Sequence, residues 1–506
     1  MDNSGGAGNC LMSFAGLSRA LGARLFDWEG EQAAPRFFSS VSIDSRAVAP
    51  GGLFVALRGS ARDGHCFVDA AFRAGAAGAL VALSALEDPA LNLQSLAQRW
   101  KGVLVAVEDT LKGLQDAARV YLEQFPALLK IGITGSAGKT TTKEIAAAII
   151  GHETQVVMNQ GNLNSETGLP LSVFSVRAKH QAGIFEAGMN RAGEIGELAK
   201  VLNPKLALIT NIGSAHIGIL GSRDAIAEEK KKIFSQFTGN NTALIPADDD
   251  YRDFLAKDVR GKTVFYGASS LPGLGAVRDL GLEGTEITWE GEKIRFGLPG
   301  KFNLRNALAA IALALELPVS SDSIRRGLEA VKPLFGRGEI LRGRATVIRD
   351  CYNSNPESAM AALDFCDNLE WDGRRVYVIG SMLELGDSSA KAHAALGRRL
   401  ASCRADMVFL FGDETAAAAD ALGASSYGTS SHGANSRETS PHSPLHTPSS
   451  PSPHSPIPCF HTRDMGDLSR ALDAYIKNGD LVLLKGSRGC ALETLTGMLT
   501  GGAHVS

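Results

Sequence analysis

Residues 128–143 read Leu-Leu-Lys-Ile-Gly-Ile-Thr-Gly-Ser-Ala-Gly-Lys-Thr-Thr-Thr-Lys, and no other stretch constrains this chain as much. An apolar run, a Gly-Ser-Ala-Gly turn and a Lys-Thr pair predict a strand, a phosphate-binding loop and a helix, in that order. The turn is short, so backbone N–H groups of Gly135, Ser136, Ala137 and Gly138 and the positive end of the helix dipole converge on one anion. Lys139 is expected to reach the β- and γ-phosphates of a bound nucleotide, with Thr140 and Thr141 beside it and the Thr140 hydroxyl on Mg²⁺. Ile133 stands where the eight-residue form of the loop has glycine, so the shorter Gly-x-x-Gly-Lys-Thr form applies. A purely structural glycine turn would not need this strand and helix around it.

A chain of 506 residues is too long for one core. With 44% hydrophobic residues and a net charge of −3, it has no field strong enough to imply nucleic acid or an anionic membrane surface. Seven cysteines (10, 66, 351, 366, 403, 459 and 490) are scattered without Cys-x-x-Cys pairs and read as reduced thiols. Residues 1–9 lack the basic start and apolar stretch of a signal, and charges interrupt every apolar run before membrane length. A cytoplasmic protein without stable membrane insertion is expected, as a monomer.

The expected fold class is α/β in three domains: an α/β amino-terminal substrate domain (1–118), a central parallel-sheet nucleotide domain (119–333) and a Rossmann-like carboxy-terminal domain (334–506). In the first, residues 11–25 suit one amphipathic helix and 52–57 and 78–82 suit strands. The second alternates strands (131–134, 183–186, 206–210) with helices (139–150, 193–202, 223–237), which indicates a parallel sheet covered on both faces. The third repeats this with strands at 345–349, 376–379, 407–411 and 481–484 and helices at 390–402 and 468–476. Residues 424–458 are rich in Ser, Pro, His, Thr and Gly and cannot bury enough surface to offset ordering entropy, so a disordered insertion is expected. Its His432, His442, His446 and His454 read as part of a solvated tether rather than a metal site.

Further candidates gather where parallel strands end. Glu186 closes the strand Gly-Ile-Phe-Glu and suits an Mg²⁺ ligand beside Thr140, or alternatively a cap for the next helix. His216, after Thr-Asn-Ile-Gly-Ser-Ala, emerges on the same rim and reads equally as a site residue or a structural histidine. Lys230 lies in Glu-Glu-Lys-Lys-Lys-Ile-Phe, where spacing alone indicates only a charged helix face. Asn303 and Asn306 share one side of a helix, and Asp350-Cys-Tyr-Asn-Ser-Asn-Pro356 is rich in amides and carboxylate just before another, a usual place for base and ribose contacts; both segments also read as caps and turns. Lys485, Ser487 and Arg488 follow the last strand and suit a carboxylate or phosphate.

Together, Thr134 to Glu144, Asn162-Leu-Asn164, Glu186, Asn211 to His216, Asp350 to Pro356, Met382-Leu-Glu-Leu-Gly386 and Lys485-Gly-Ser-Arg488 resemble the Mur ligases of peptidoglycan synthesis. Asp44-Ser-Arg46, Pro50 to Leu57 and Asp63-Gly-His65 resemble the amino-terminal domain of the two ligases that act latest. Tyr-Asn-x-Asn-Pro with Met-Leu-Glu-Leu-Gly is the mark of members that add D-alanyl-D-alanine. The Asp-Asn-Pro-Arg motif common in those adding the third residue is absent. The resemblance implies an ATP-dependent carbon–nitrogen ligase, working through an acyl phosphate, whose partners are a UDP-N-acetylmuramoyl-tripeptide and D-alanyl-D-alanine. The alternatives are the third-residue-adding ligase, a folylpolyglutamate synthetase, or a nucleotide switch using the same loop.

The resemblance also implies site roles. The lysine matching Lys230 is carbamylated in the family, and its carbamate and the histidine matching His216 hold a second Mg²⁺. It implies that Asp44, Ser45 and Arg46 lie near the uridine diphosphate, that Asn162, Asn164, Lys485, Ser487 and Arg488 contact substrate, and that Asn303, Asn306, Arg337, Asp350, Tyr352 and Asn353 line the ATP groove. Two positions depart from the family's pattern: Phe302 replaces the histidine of Gly-x-His-Asn, and Ser381 the aspartate of Gly-Asp-Met-Leu-Glu-Leu-Gly.

Overall fold

The computed structural model describes residues 10–27, 36–59, 62–423 and 457–502. The expected insertion at 424–458 lies outside the described residues apart from 457 and 458. Three sheets, each covered by helices, succeed one another along the chain, and the α/β class holds in all three.

The first sheet orders Arg24–Asp27, Val103–Val107, Gly78–Ala82, Leu53–Val55 and Val41–Ser42, parallel except at the Arg24–Asp27 edge. The single helix expected over 11–25 is instead a short strand (Met12–Ser13), a helix (Phe14–Leu21) and the edge strand Arg24–Asp27. Ser13 caps that helix by accepting from the Gly16 N–H. Gly22, at φ +60°, closes it, since a left-handed C-cap ends a helix whatever the apolar pattern beyond.

The central sheet runs Lys262–Tyr266, Thr242–Pro246, Leu206–Ile209, Leu129–Thr134, Ala182–Glu186, Val156–Met158, all parallel. Buried on both faces, inner strands such as Leu206–Ile209 and Ala182–Glu186 are apolar runs rather than alternating patterns, as parallel sheets require, whereas the edge strand Lys262–Tyr266 is partly exposed. The chain leaves Leu129–Thr134 toward one edge and returns to the other side of it, so the order reverses at that strand. The crevice outside the carboxyl ends at such a reversal is where ligands bind in this class. An antiparallel three-stranded sheet (Leu274–Asp279, Thr285–Trp289, Glu292–Phe296) follows, which the sequence reading did not foresee. Its inner face packs Ile287, Trp289, Ile294 and Phe296 into the same core as helices Lys139–Ile150 and Lys301–Leu315.

The third sheet orders Glu339–Leu341, Thr346–Asp350, Leu481–Lys485, Arg375–Gly380, Met407–Phe411 and Cys459–Thr462, parallel except at its first strand. Helix Pro356–Asn368 starts sharply because Asn355 and Ser358 form a capping box with proline at the first turn. None of the helices among the described residues is long and apolar enough to cross a membrane.

Candidate active site

The helix Lys139–Ile150 begins where the strand Leu129–Thr134 ends. The turn between them needs glycine twice. Gly135 sits at φ +148° with Thr210 Oγ1 only 1.9 Å from where a Cβ would stand. Gly138, at φ +80°, is closed over by Asn306 Oδ1 at 2.2 Å from that position. Thr210 Oγ1 and Asn211 Nδ2 both donate to Ala137 O, at 2.6 and 3.1 Å. Two N–H groups expected to face a phosphate are engaged elsewhere: Ser136 N donates to Asn211 O and Ala137 N to Asn211 Oδ1. Among the anion donors left are the N–H groups of Gly138, Lys139, Thr140 and Thr141 at the helix start, since the first intrahelical bond runs from Thr142 N to Gly138 O. Asn211 is thus a loop-shaping residue that motif spacing did not single out; its position right after a parallel strand was the available signal.

Thr140 Oγ1 donates to Glu186 Oε2 at 2.7 Å, and Asn164 Nδ2 donates to Glu186 Oε1 at 2.6 Å. The Glu186 N–H is fixed in turn by Asn159 Oδ1 at 3.0 Å. Glu186 does not cap the following helix; its carboxylate, 2% exposed, faces the phosphate loop. Buried Lys143 ties the loop helix to the next strand by donating to Asn159 O at 2.6 Å.

Two lysines meet at one carbonyl. Lys139 Nζ and Lys230 Nζ donate to Gly135 O at 2.9 and 3.0 Å. Desolvation, then the neighbouring Lys139 charge, hold the Lys230 amine well below the usual lysine range. Lys139 is also lowered, chiefly by desolvation, while Glu186 acts the other way. Lys230 is 1% exposed, and leaving an ammonium so buried without an acid partner costs several kcal/mol. The charged helix face expected around it is therefore only half correct: Lys232 is exposed and Lys231 half-buried against Phe254, whereas Lys230 turns inward beneath the phosphate loop. Its neighbour Glu229 caps the helix Glu194–Leu202 through the N–H groups of Gly193 and Ile195, at 2.8 and 2.9 Å, and this anchors the Lys230 segment.

Lys139, Thr140 and Glu186 open into a cleft of about 1210 Å³ between the second and third domains, with Lys230 buried behind the loop rather than among its lining residues. One small-molecule site occupies roughly 300–1,000 Å³, so this volume suits more than one substrate. Asn162, Asn164, His216, Asn303, Asn306, Arg337, Asp350, Tyr352, Asn353, Lys485, Ser487 and Arg488 all line it. Arg337 stacks on Tyr352 at 4.1 Å, and Arg488 lies 5.9 Å from the same ring while pairing with Glu493. Lys485 is 1% exposed, held by Asp350 at 3.1 Å and by Asn353 O at 2.7 Å. Asn303 donates to Pro299 O, and Ser487 Oγ accepts from the Leu383 N–H, so both also shape backbone. Asp44, Ser45 and Arg46 are not among the residues lining this cleft; Arg46 pairs with Asp44 at 2.7 Å on the first domain's surface. Phe302 fills the space against Gly300 and Gly338, and Ser381 stacks under Gly412, so both departures are packed rather than left as gaps. Among the described residues no three His, Cys, Asp or Glu side chains group as a complete metal cage.

Residues 38–121 match the Mur ligase family catalytic domain, 133–314 the Mur ligase middle domain, and 336–488 the Mur ligase glutamate ligase domain. The chain belongs to the Mur ligase family. It is 42% identical over 490 residues to the UDP-N-acetylmuramoyl-tripeptide–D-alanyl-D-alanine ligase of Treponema pallidum, covering 97% of this chain and 99% of that one. The Bacillus subtilis ligase of the same name is 32% identical over 461 residues, 90% of this chain and 92% of its own. Among solved structures, MurF from Acinetobacter baumannii superposes with a TM-score of 0.79 at 28% identity, covering 96% of this chain and 98% of that one. The MurF ligase of Thermotoga maritima in complex with ADP gives 0.71 at 25% identity, with 92% and 97% covered. As a Mur ligase, this chain places its glycine loop in the middle domain and its Lys485–Arg488 turn at the end of the third.

Proposed function

We propose that this Mur ligase joins D-alanyl-D-alanine to a UDP-N-acetylmuramoyl-tripeptide at the expense of ATP. The near end-to-end likeness to the Treponema ligase of that name carries the reading, and the Tyr352-Asn-Ser-Asn-Pro356 segment at the cleft agrees with it. A terminal carboxylate oxygen of the tripeptide attacks the γ-phosphorus, the bond to the departing ADP oxygen breaks, and an acyl phosphate forms. The D-alanyl-D-alanine amine then adds to the carbonyl carbon, loses a proton, and phosphate leaves with one former carboxylate oxygen. Two anions must meet in the first step. Lys139 and the helix-start N–H groups offset their repulsion.

Divalent magnesium fits the donors present: the Thr140 hydroxyl and Glu186 carboxylate on one side, and His216 with Lys230, once carbamylated, on the other. An incomplete protein cage agrees with that ion, which keeps waters and substrate phosphates in its shell. When bound, it would supply charge neutralisation at the transferring phosphoryl group. Arg337, Tyr352, Asp350, Asn353, Asn303 and Asn306 are read as the nucleotide wall, and Asn162, Asn164, Lys485, Ser487 and Arg488 as the peptide-facing side. Asp44, Ser45 and Arg46, away from the cleft, suit the distant uridine diphosphate end of a long substrate. A cytoplasmic monomer divided at about residues 118 and 333 remains our reading of its organisation.

The test is phosphate release from ATP with UDP-tripeptides that differ at the third residue, each with and without D-alanyl-D-alanine. Sustained release and a UDP-pentapeptide product are expected only when both partners are present. Turnover with a UDP-dipeptide and a single amino acid instead would move the chain to the third-residue-adding ligases.

A further inference from the structure

The loop that carries His216 is gripped from the opposite domain. Residues 213–218 follow the strand Leu206–Ile209 of the second domain. Glu357, in the first turn of the third domain's helix Pro356–Asn368, accepts from the Ser214 N–H at 2.8 Å and from Ser214 Oγ at 2.9 Å. Gly218 lies so close to the turn after Leu385 that a Cβ there would stand 2.4 Å from Gly386 N. Between these contacts, Glu384 Oε2 lies 3.2 Å from His216 Nδ1. Both residues have φ of +67°, a backbone state that side-chain-bearing residues hold only when their surroundings fix it. His216 Nδ1 is buried and lacks an aligned hydrogen bond, although the carboxylate is close. Buried ring nitrogens are nearly always paired, and Glu384 is the carboxylate within reach of this one.

We propose that Glu384 is a positioning residue acting through His216, so that docking of the third domain orients a metal-binding histidine of the second. The inference rests on His216 being a metal ligand. A carboxylate that accepts a hydrogen bond from Nδ1–H fixes the tautomer and leaves Nε2 free as the ligand nitrogen. Here the orienting carboxylate belongs to another domain, so domain closure and assembly of the metal site become one event. Thermal stability is not the purpose: the Glu384 side chain is 54% exposed, and pairs so exposed stabilise a fold little.

The test is Mn²⁺ binding to the full chain with a non-hydrolysable ATP analogue, following free ion by electron paramagnetic resonance. Glu384→Ala is expected to weaken the weaker Mn²⁺ site by about 10–100-fold. Glu384→Gln, which keeps length and an acceptor oxygen, should retain most of the affinity, and the double variant with His216→Ala should bind no more weakly than His216→Ala alone. Wild-type affinity in Glu384→Ala, equal losses in the Gln and Ala variants, or multiplied losses in the double variant would each overturn the proposal. Wild-type Mn²⁺ affinity in His216→Ala would instead remove the ligand reading on which it rests.

Discussion

Lys139→Ala should lower ATP-dependent turnover by about 10³-fold, the upper range for losing one preorganised group that meets developing charge, while the protein stays folded. Lys139 belongs to no apolar cluster; it sits at the start of the helix Lys139–Ile150, and its one hydrogen bond goes to Gly135 O. Losing a bond of that kind costs about 1 kcal/mol, and removing a desolvated cation offsets part of it. Turnover and stability therefore separate in this variant. Phosphate release and thermal unfolding, measured on the same preparation, check it: a large loss in the first with a small change in the second is expected. Turnover at the wild-type rate would refute the phosphate-loop assignment.

The second large effect concerns Lys230. Its amine is buried and held well below the usual lysine range by desolvation and Lys139, and Gly135 O is its hydrogen-bond acceptor. An unprotonated amine can add to carbon dioxide: a nitrogen–carbon bond forms, one proton leaves, and the product is an anionic oxygen donor. Lys230→Ala is expected to lose at least about 10²-fold in turnover, the upper end of what losing even an outer partner of a metal site costs. The alanine leaves a space one side chain deep, so a short-chain carboxylic acid should restore part of the activity. Bicarbonate should restore less, because no amine remains to accept it. Failure of every small acid to rescue would count against the carbamate role.

The strand–loop–helix core of this site was legible because local chemistry dictates it. The helix Lys139–Ile150 runs over the residues its pattern predicts, and Met407–Phe411 and Gly78–Ala82 likewise match their expected strands. Boundaries failed where a backbone state overrode apolar spacing, as at Gly22. The helix expected over 223–237 ends at Lys231 and tightens into a 3₁₀ turn at Lys232–Phe234. The antiparallel excursion at 274–296 went unread because its first strand is largely exposed and carries little apolar signal. Partnerships across the fold were the least legible. Nothing local in Glu-Glu-Lys-Lys-Lys indicates that Glu229 and Lys230 turn inward, or that Asn211 shapes the loop 74 residues before it. Neither Glu357 nor Glu384, although the latter lies in the Met-Leu-Glu-Leu-Gly motif, shows in sequence that it meets residues 214 and 216.

The most direct test of the account follows oxygen. UDP-tripeptide labelled with ¹⁸O in its terminal carboxylate would be turned over with ATP and D-alanyl-D-alanine, and the released phosphate analysed by mass. Activation through an acyl phosphate predicts one labelled oxygen in each phosphate formed from fully labelled carboxylate. Phosphate free of label, with amide product still accumulating, would contradict it.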